Sequence, residues 1–347
     1  MMHDGRPLLT VEHMTVVYET NEGLAKALND VSLSIYPGQI LGVVGESGSG
    51  KSTLASAIMR LLPSNASMVT GRVLIGDSDL YAIPEARLRF LRWKKFSMVF
   101  QSALATLNPV ITVGQQFGEI LRIHEPAMSR KAIQDRMEEL LNLVRIHRQH
   151  LGNYPHELSG GMRQRLAIAM AIALDPDLVI MDEPTTALDA VVQHEILEEI
   201  RRIQQDKKFA VLFISHDLRL VSYISSEIMV IYAGRVVETG PTQAFLSSTL
   251  HHPYSQGLLT SIPQLTGGHL ELQSIPGSPP DLLSLPPGCA FRLRCSYARE
   301  ECIRNQPEIK TVRTMRIACF DVEERQKEGD NGQGTIPVES ERPCRSV

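Results

Sequence analysis

The sequence predicts an α/β protein with a mostly parallel sheet, an antiparallel β subdomain, an inserted helical subdomain and a small cysteine-containing C-terminal extension. Three observations carry this expectation. A glycine-rich turn from Gly45 to Thr53 lies between an apolar run and a helical pattern. From Leu178 onward, strand-length apolar runs alternate with a helix-length pattern, the rhythm of a parallel sheet with crossover helices. Between about residues 114 and 173, apolar positions recur at helical spacing among Arg130, Lys131, Asp135, Arg136, Glu138 and Glu139.

In chain order, residues 8–18 and 31–44 are rich in Val, Leu and Ile and broken by Pro37-Gly38, which reads as strand, turn, strand. The second run ends at Gly45, and a helix is expected from Lys51 to Leu62. Gly71 to Leu80 reads as a further strand and turn. After the helical stretch come a strand at Leu178 to Met181, a helix at Val191 to Ile203, a strand at Ala210 to Ser215, and a stretch from Ile228 to Val237 hinged at Ala233-Gly234. Past Leu250 the composition shifts toward Pro and Gly, and four cysteines fall within 31 residues. These shifts divide the chain into a main domain over 8–250, an extension over 251–323 and a polar tail over 324–347 expected to be disordered.

At 347 residues and 43% hydrophobic, the chain is long enough to bury a substantial core. Thirty-five Lys and Arg against 39 Asp and Glu leave a net charge of -4, so no bulk attraction draws it to nucleic acid or anionic lipid. The longest strongly apolar run, Leu166 to Leu174, is about half of what a bilayer requires, and Met1 to Thr10 lacks a signal-peptide core. A cytoplasmic chain is expected, with any membrane role reached through a partner.

Gly45-Glu46-Ser47-Gly48-Ser49-Gly50-Lys51-Ser52-Thr53 matches G-x-x-x-x-G-K-S/T after a predicted strand and before a predicted helix. Its glycines let the backbone curl so that N–H groups face phosphates, Lys51 neutralises the β and γ oxygens, and the Ser52 hydroxyl ligates Mg²⁺. This is the core of a P-loop NTPase. Leu178 to Met181 leads into Asp182 and Glu183, two carboxylates whose burial needs compensation. A metal supplies it: Asp182 is expected to hold Mg²⁺, and Glu183 to act as general base on an attacking water. His216 follows another apolar strand, at the sheet end where open α/β folds place ligands. In Leu158-Ser159-Gly160-Gly161-Met162-Arg163-Gln164-Arg165, Ser159 is a candidate N-cap and the glycine pair opens a second helix, offering further N–H groups to an anion.

The order of these motifs resembles the ATP-binding subunits of ABC transporters over roughly residues 8–320. That resemblance implies ATP as nucleotide, Tyr18 stacking on adenine, Gln101 sensing Mg²⁺ and water, and His216 touching the γ-phosphate. It also implies that Ser159, Gly160, Gly161 and the dimer-contact residue Asp189 act in trans, on ATP held by a second ATPase subunit. A heterodimer with a related ATPase is preferred to a homodimer. Further implied partners are two transmembrane permease subunits and, indirectly, an extracytoplasmic substrate-binding protein, with the ATPase peripheral on the cytoplasmic face of the inner membrane.

Cys289, Cys295, Cys302 and Cys319 are separated by five, six and sixteen residues. A disulfide framework is not expected in the cytoplasm, which leaves an iron–sulfur cluster, zinc or free thiols, and no tight pair of the kind zinc sites use is present. Leu107-Asn108-Pro109, His252-Pro253-Tyr254, Pro287-Gly288-Cys289-Ala290-Phe291 and Arg294-Cys295-Ser296-Tyr297-Ala298 resemble the oligopeptide/dipeptide branch, whose members can bind a 4Fe-4S cluster at such cysteines. Import of di- and oligopeptides is therefore expected. Close relatives of that branch carry nickel, opines or short oligosaccharides. Soluble ABC ATPases that act on DNA or ribosomes usually carry a coiled-coil insertion or two cassettes, and this sequence shows neither.

Overall fold

The structure is a computed structural model that describes residues 5–101, 107–261 and 275–322. The tail expected to be disordered over 324–347, and Cys344 within it, lies outside the described residues.

Burial pattern decides which sheet each strand joins. Strands β1 (Leu9–Thr20), β2 (Gly23–Ile35), β4 (Ala66–Ile75) and the two-residue β5 (Ser78–Asp79) expose part of their length, and they form an antiparallel sheet in the order β2-β1-β4-β5. Strands β3 (Ile40–Val44), β6 (Phe96–Val99), β7 (Leu178–Asp182) and β8 (Ala210–Ser215) are buried at every residue. Such continuous apolar runs belong to parallel sheets covered on both faces. With β9 (Glu227–Tyr232), β10 (Arg235–Pro241), β11 (Lys310–Val312) and β12 (Met315–Ile317) they make an eight-stranded sheet ordered β11-β12-β10-β9-β3-β8-β7-β6. The five strands from β9 to β6 run parallel, and β10, β12 and β11 add on antiparallel.

Alternate residues of the parallel strands supply two cores, as the two-residue period of a strand requires. Leu178, Ile180, Leu212 and Ile214 pack with the antiparallel sheet and with helix α1 (Lys51–Ile58). Val179, Met181, Val211 and Phe213 pack on the opposite face, in a core shared with the helical insert. That insert contains α3 (Val113–His124), α4 (Arg130–Leu143) and α5 (Gly160–Ala171). A capping box between Thr112 and Gln115 starts α3, and Ser129 caps α4. Helix α6 (Ala190–Lys207) and α7 (Leu218–Ile224) follow β7 and β8 as crossovers.

Several elements differ from the sequence expectation. Strand β2 begins at Gly23, well before the expected run, because Lys26, Asn29 and Asp30 interrupt its apolar residues and its irregular pairing with β1 erases the two-residue period that would mark it. Helix α2 (Glu85–Lys94) buries only Leu88 and so leaves almost no apolar stripe to read. The composition change at residue 250 does not interrupt the core. Helix α8 (Thr242–Ser247) leads to α9 (Pro253–Thr260), and β12 pairs Ile317 and Arg316 with Glu238 and Thr239 of β10. Phe291, Cys289, Cys302 and Cys319 of the extension lie in the same buried cluster as Phe213. Among the described residues, no helix is long and apolar enough to cross a membrane.

Candidate nucleotide site

The phosphate loop connects β3 to α1, and two of its glycines are fixed by close backbone approach. A Cβ on Gly45 would sit 2.3 Å from the Ile231 carbonyl oxygen of β9. Gly50 has φ 104°, and a Cβ there would meet the Ala27 carbonyl at 2.4 Å. The loop is thus wedged between the two sheets with the start of α1 behind it. Lys51 is 5% exposed, and its Nζ donates to the carbonyls of Gly45 and Glu46 at 2.8 Å each. Burial pulls its pKa below the usual lysine value, and the charges of Glu183, Asp182 and Glu46 oppose that shift. Tyr18, from β1, brings its hydroxyl within 3.3 Å of Thr53 Oγ1, beside the helix start.

The carboxylates arrive from β7. Ser52 Oγ donates to Asp182 Oδ1 at 3.1 Å. Desolvation raises the pKa of Asp182; the Ser52 hydrogen bond lowers it, the Glu183 charge raises it and Lys51 lowers it. A desolvated carboxylate touching a hydroxyl is an oxygen donor set that fits Mg²⁺. Glu183 stands one residue past the strand with φ 46°, a left-handed conformation rare for a residue with a side chain, and its N–H donates to the Ile214 carbonyl at 2.9 Å. Its Oε2 accepts from Thr186 Oγ1 at 2.8 Å and from Gln101 Nε2 at 3.1 Å, and His216 Nδ1 lies 3.3 Å away. Gln101 follows β6, Glu183 follows β7 and His216 follows β8, so three adjacent parallel strands converge on one oxygen at their carboxyl ends.

Thr186 is a site residue the sequence reading missed. Its signal is a hydroxyl three residues after Glu183, on the turn Pro184-Thr185-Thr186. Two further contacts carried no local signal at all. The Glu46 N–H donates to Tyr254 Oη at 2.7 Å, and the Glu46 carboxylate is paired with Arg294.

Ser159, Gly160, Gly161 and Asp189 form a second group. Ser159 Oγ accepts from the Met162 N–H at 3.3 Å, capping α5, and Asp189 Oδ1 accepts from Val192 at 3.0 Å, capping α6. A Cβ on Gly161 would lie 2.9 Å from Val192 Cγ1, and one on Gly160 would lie 3.3 Å from Leu188 Cδ2. Arg165 pairs with Glu195 at 2.9 Å and with buried Glu199 of α6. Burial pushes the Glu199 carboxyl up, opposed by Arg165, Arg145 and Arg202. Among the described residues, no hydrogen bond joins Ser159, Gly160, Gly161 or Asp189 to the phosphate loop.

The cysteines of the extension gather in one apolar cluster. Cys289, Cys302 and Cys319 are buried and Cys295 is half-buried, and the Cys289 N–H donates to the Cys302 carbonyl at 2.9 Å. Burial pushes the Cys295 thiol up to about 12 and that of Cys319 up to about 11, and charges on the neighbouring cysteines push the same way. Yet among the described residues no group of three or more His, Cys, Asp or Glu is placed to hold a metal ion. In this arrangement burial favours neutral thiols.

A phosphate loop wedged between two sheets, facing an acidic strand end ringed by glutamine, threonine and histidine, defines a P-loop nucleoside triphosphatase. The chain belongs to the ATP-binding subunits of the ABC transporter family, in the oligopeptide/dipeptide branch. The family described as ABC transporter matches residues 28–186, and the oligopeptide/dipeptide transporter C-terminal region matches residues 237–302. A peptide import ATP-binding protein of Brucella abortus (strain 2308) is 45% identical over 303 residues, covering 87% of this chain and 91% of that one. The oligopeptide transport ATP-binding protein OppD of Haemophilus influenzae is 42% identical, covering 85% and 91%. Among solved structures, the dimeric post-hydrolysis state of the ATP-binding cassette MJ0796 bound to ADP and Pi is similar at a TM-score of 0.61 and 27% identity, covering 67% of this chain and 98% of that one.

The glycine geometry makes a direct prediction. Gly45→Ala forces a methyl group against the Ile231 carbonyl, so urea denaturation should show a loss of about 1–3 kcal/mol, the range for overpacking. Nucleotide affinity measured on the same protein should fall with it. An unchanged unfolding midpoint would mean the loop is not wedged as described.

Proposed function

We propose that this chain hydrolyses ATP to power uptake of di- and oligopeptides, working as one of two ATPase subunits on the cytoplasmic face of the inner membrane. It docks there on two permease subunits that receive cargo from an extracytoplasmic binding protein. The observation that carries the enzymatic part is the convergence of Gln101, Thr186 and His216 on Glu183 Oε2, beside the Ser52–Asp182 contact. The cargo rests on the names of the Brucella and Haemophilus relatives and on the matched C-terminal region.

In this mechanism Lys51 leaves the loop carbonyls it now satisfies and turns to the β and γ oxygens of ATP. Ser52 and Asp182, with Gln101, would hold Mg²⁺, which would supply charge neutralisation on the phosphates. Glu183 takes the proton of the attacking water as general base, and Thr186 and His216 fix its carboxylate. Tyr18 stacks on the adenine, and its hydroxyl contact with Thr53 Oγ1 beside the helix start supports that role. Ser159, Gly160 and Gly161 open a helix and bind the γ-phosphate of ATP held by the second subunit. The dimeric state of the MJ0796 cassette supports that pairing, and a related but distinct partner subunit is the preferred one.

The cysteine site is a narrower part of the proposal. Cys289, Cys302 and Cys319 lie in one buried cluster with Cys295 packed against it, which supports a 4Fe-4S cluster on these four thiols, and no step of hydrolysis passes through it.

Glu183→Gln should keep ATP binding and lower hydrolysis by about 10² to 10⁴, the usual worth of a general base; unchanged phosphate release would remove Glu183 from that role. In the assembled transporter, Ser159→Arg in this subunit should abolish turnover at the partner's site, and intact turnover would refute action in trans. Anaerobic purification should yield brown protein with about four irons per chain, whereas colourless, iron-free protein would eliminate the cluster.

A further inference from the structure

Two groups of the C-terminal extension that take no part in the hydrolysis described above both end on Glu46 of the phosphate loop. The first is Tyr254, in the first turn of α9 and fully buried, whose Oη accepts the Glu46 N–H at 2.7 Å. Its position is secured from the main sheet. Glu238 of β10 is fully buried and accepts the His252 N–H at 2.9 Å, while its other oxygen lies 2.7 Å from His251 Nδ1. His252 Nδ1 then accepts the Tyr254 N–H at 3.1 Å, capping the helix that carries the tyrosine.

The second is Arg294, whose side chain is 6% exposed. Its guanidinium donates to both oxygens of the Glu46 carboxylate, at 2.7 and 2.9 Å, in the paired geometry that suits a planar fork. The remaining Nε donates to the Pro276 carbonyl at 2.7 Å, and Nη1 also reaches Tyr232 Oη at 3.3 Å. The cation lies 5.8 Å from the ring centres of both Tyr232 and Phe291. Tyr254 packs on the same two rings, at 4.6 and 5.5 Å between centroids. A single rigid assembly thus joins the extension, strand β9 and the phosphate loop.

Glu46 is an unfavourable residue to place in a loop that receives a polyanion. Its carboxylate adds negative charge near the phosphates, and its main-chain carbonyl is one of the two that hold Lys51. An unpaired acid there would both repel ATP and free the loop to move.

We propose that the extension acts as a clamp on the phosphate loop, with Arg294 the positioning residue that neutralises and holds Glu46 and Tyr254 the fixed acceptor for its main-chain N–H. The inference rests on the phosphate loop being the ATP site. It makes the extension a determinant of ATP affinity, separate from any metal at the cysteines.

The test measures ATP–Mg²⁺ dissociation constants on the full-length chain, with thermal unfolding in the absence of nucleotide as a control. Arg294→Met should weaken ATP by about tenfold, the scale of a lost charge-assisted pair, and raise KM in the assembled transporter while kcat at saturating ATP changes little. Arg294→Lys should recover only part of the loss, since it returns the charge without the fork. The double variant Glu46→Gln with Arg294→Met should bind ATP better than Arg294→Met alone, because no unpaired carboxylate remains. Unchanged affinity in Arg294→Met, or simple addition of the two single losses, would overturn the clamp. Should Arg294→Met not fold, Tyr254→Phe removes one hydroxyl and must still weaken ATP several-fold, and full affinity there refutes the proposal. A wild-type chain that binds no ATP would instead remove the ATP-site reading beneath it.

Discussion

Three charged groups, Lys51, Asp182 and Glu183, sit where the sheet has displaced water, and the rest of the molecule is arranged around keeping them there. An ion leaving water for an apolar interior loses several kcal/mol unless partners replace the solvent. Lys51 is compensated by two loop carbonyls and Asp182 by the Ser52 hydroxyl, while Glu183 is surrounded by Gln101, Thr186 and His216. These partners come from the ends of β3, β6, β7 and β8, so the charges are stable only where those strands lie side by side. The apolar composition of the strands follows from the same need, because both faces must be packed to fix the strand ends. Phosphates and a divalent cation fit a place already built for charge.

Legibility in the sequence tracked how local each requirement was. The phosphate loop is nine consecutive residues whose backbone shape dictates its glycines, and β7 and β8 are apolar up to their last residues, Asp182 and Ser215, so they could be found without the fold. The first half of β2 could not, since Lys26 breaks its apolar residues and its irregular pairing with β1 leaves no two-residue period to show. Thr186 was within reach, as a hydroxyl at a fixed distance from Glu183. The contact between Tyr254 and Glu46 joins residues 208 positions apart and follows from no local rule. Cysteine spacing indicated which thiols would be neighbours, while the closeness needed for metal ligation depends on packing that spacing does not encode.

The helical insert shows how the glycine-opened helix is held against the element that follows the acidic strand end. Buried Glu199 gathers Arg165 from α5 with Arg145 and Arg202, so the glycine-opened helix is fastened to α6 at mid-length as well as at its start, where Gly161 meets Val192. Helix α6 is itself capped by Asp189, seven residues beyond Asp182. The glycine-opened helix start and the acidic strand end are therefore joined through α6.

The antiparallel addition of β12 to β10 has a consequence for how the chain is made. Strand β10 ends at Pro241 and its neighbour begins only at Met315, so during synthesis the parallel sheet stands complete while one side keeps a row of unsatisfied peptide groups. Uncovered edges of that kind invite pairing with other chains. The short hairpin of β11 and β12 covers β10 and leaves only the brief β11 at that edge, so a nascent chain stopped before it would carry an adhesive flank.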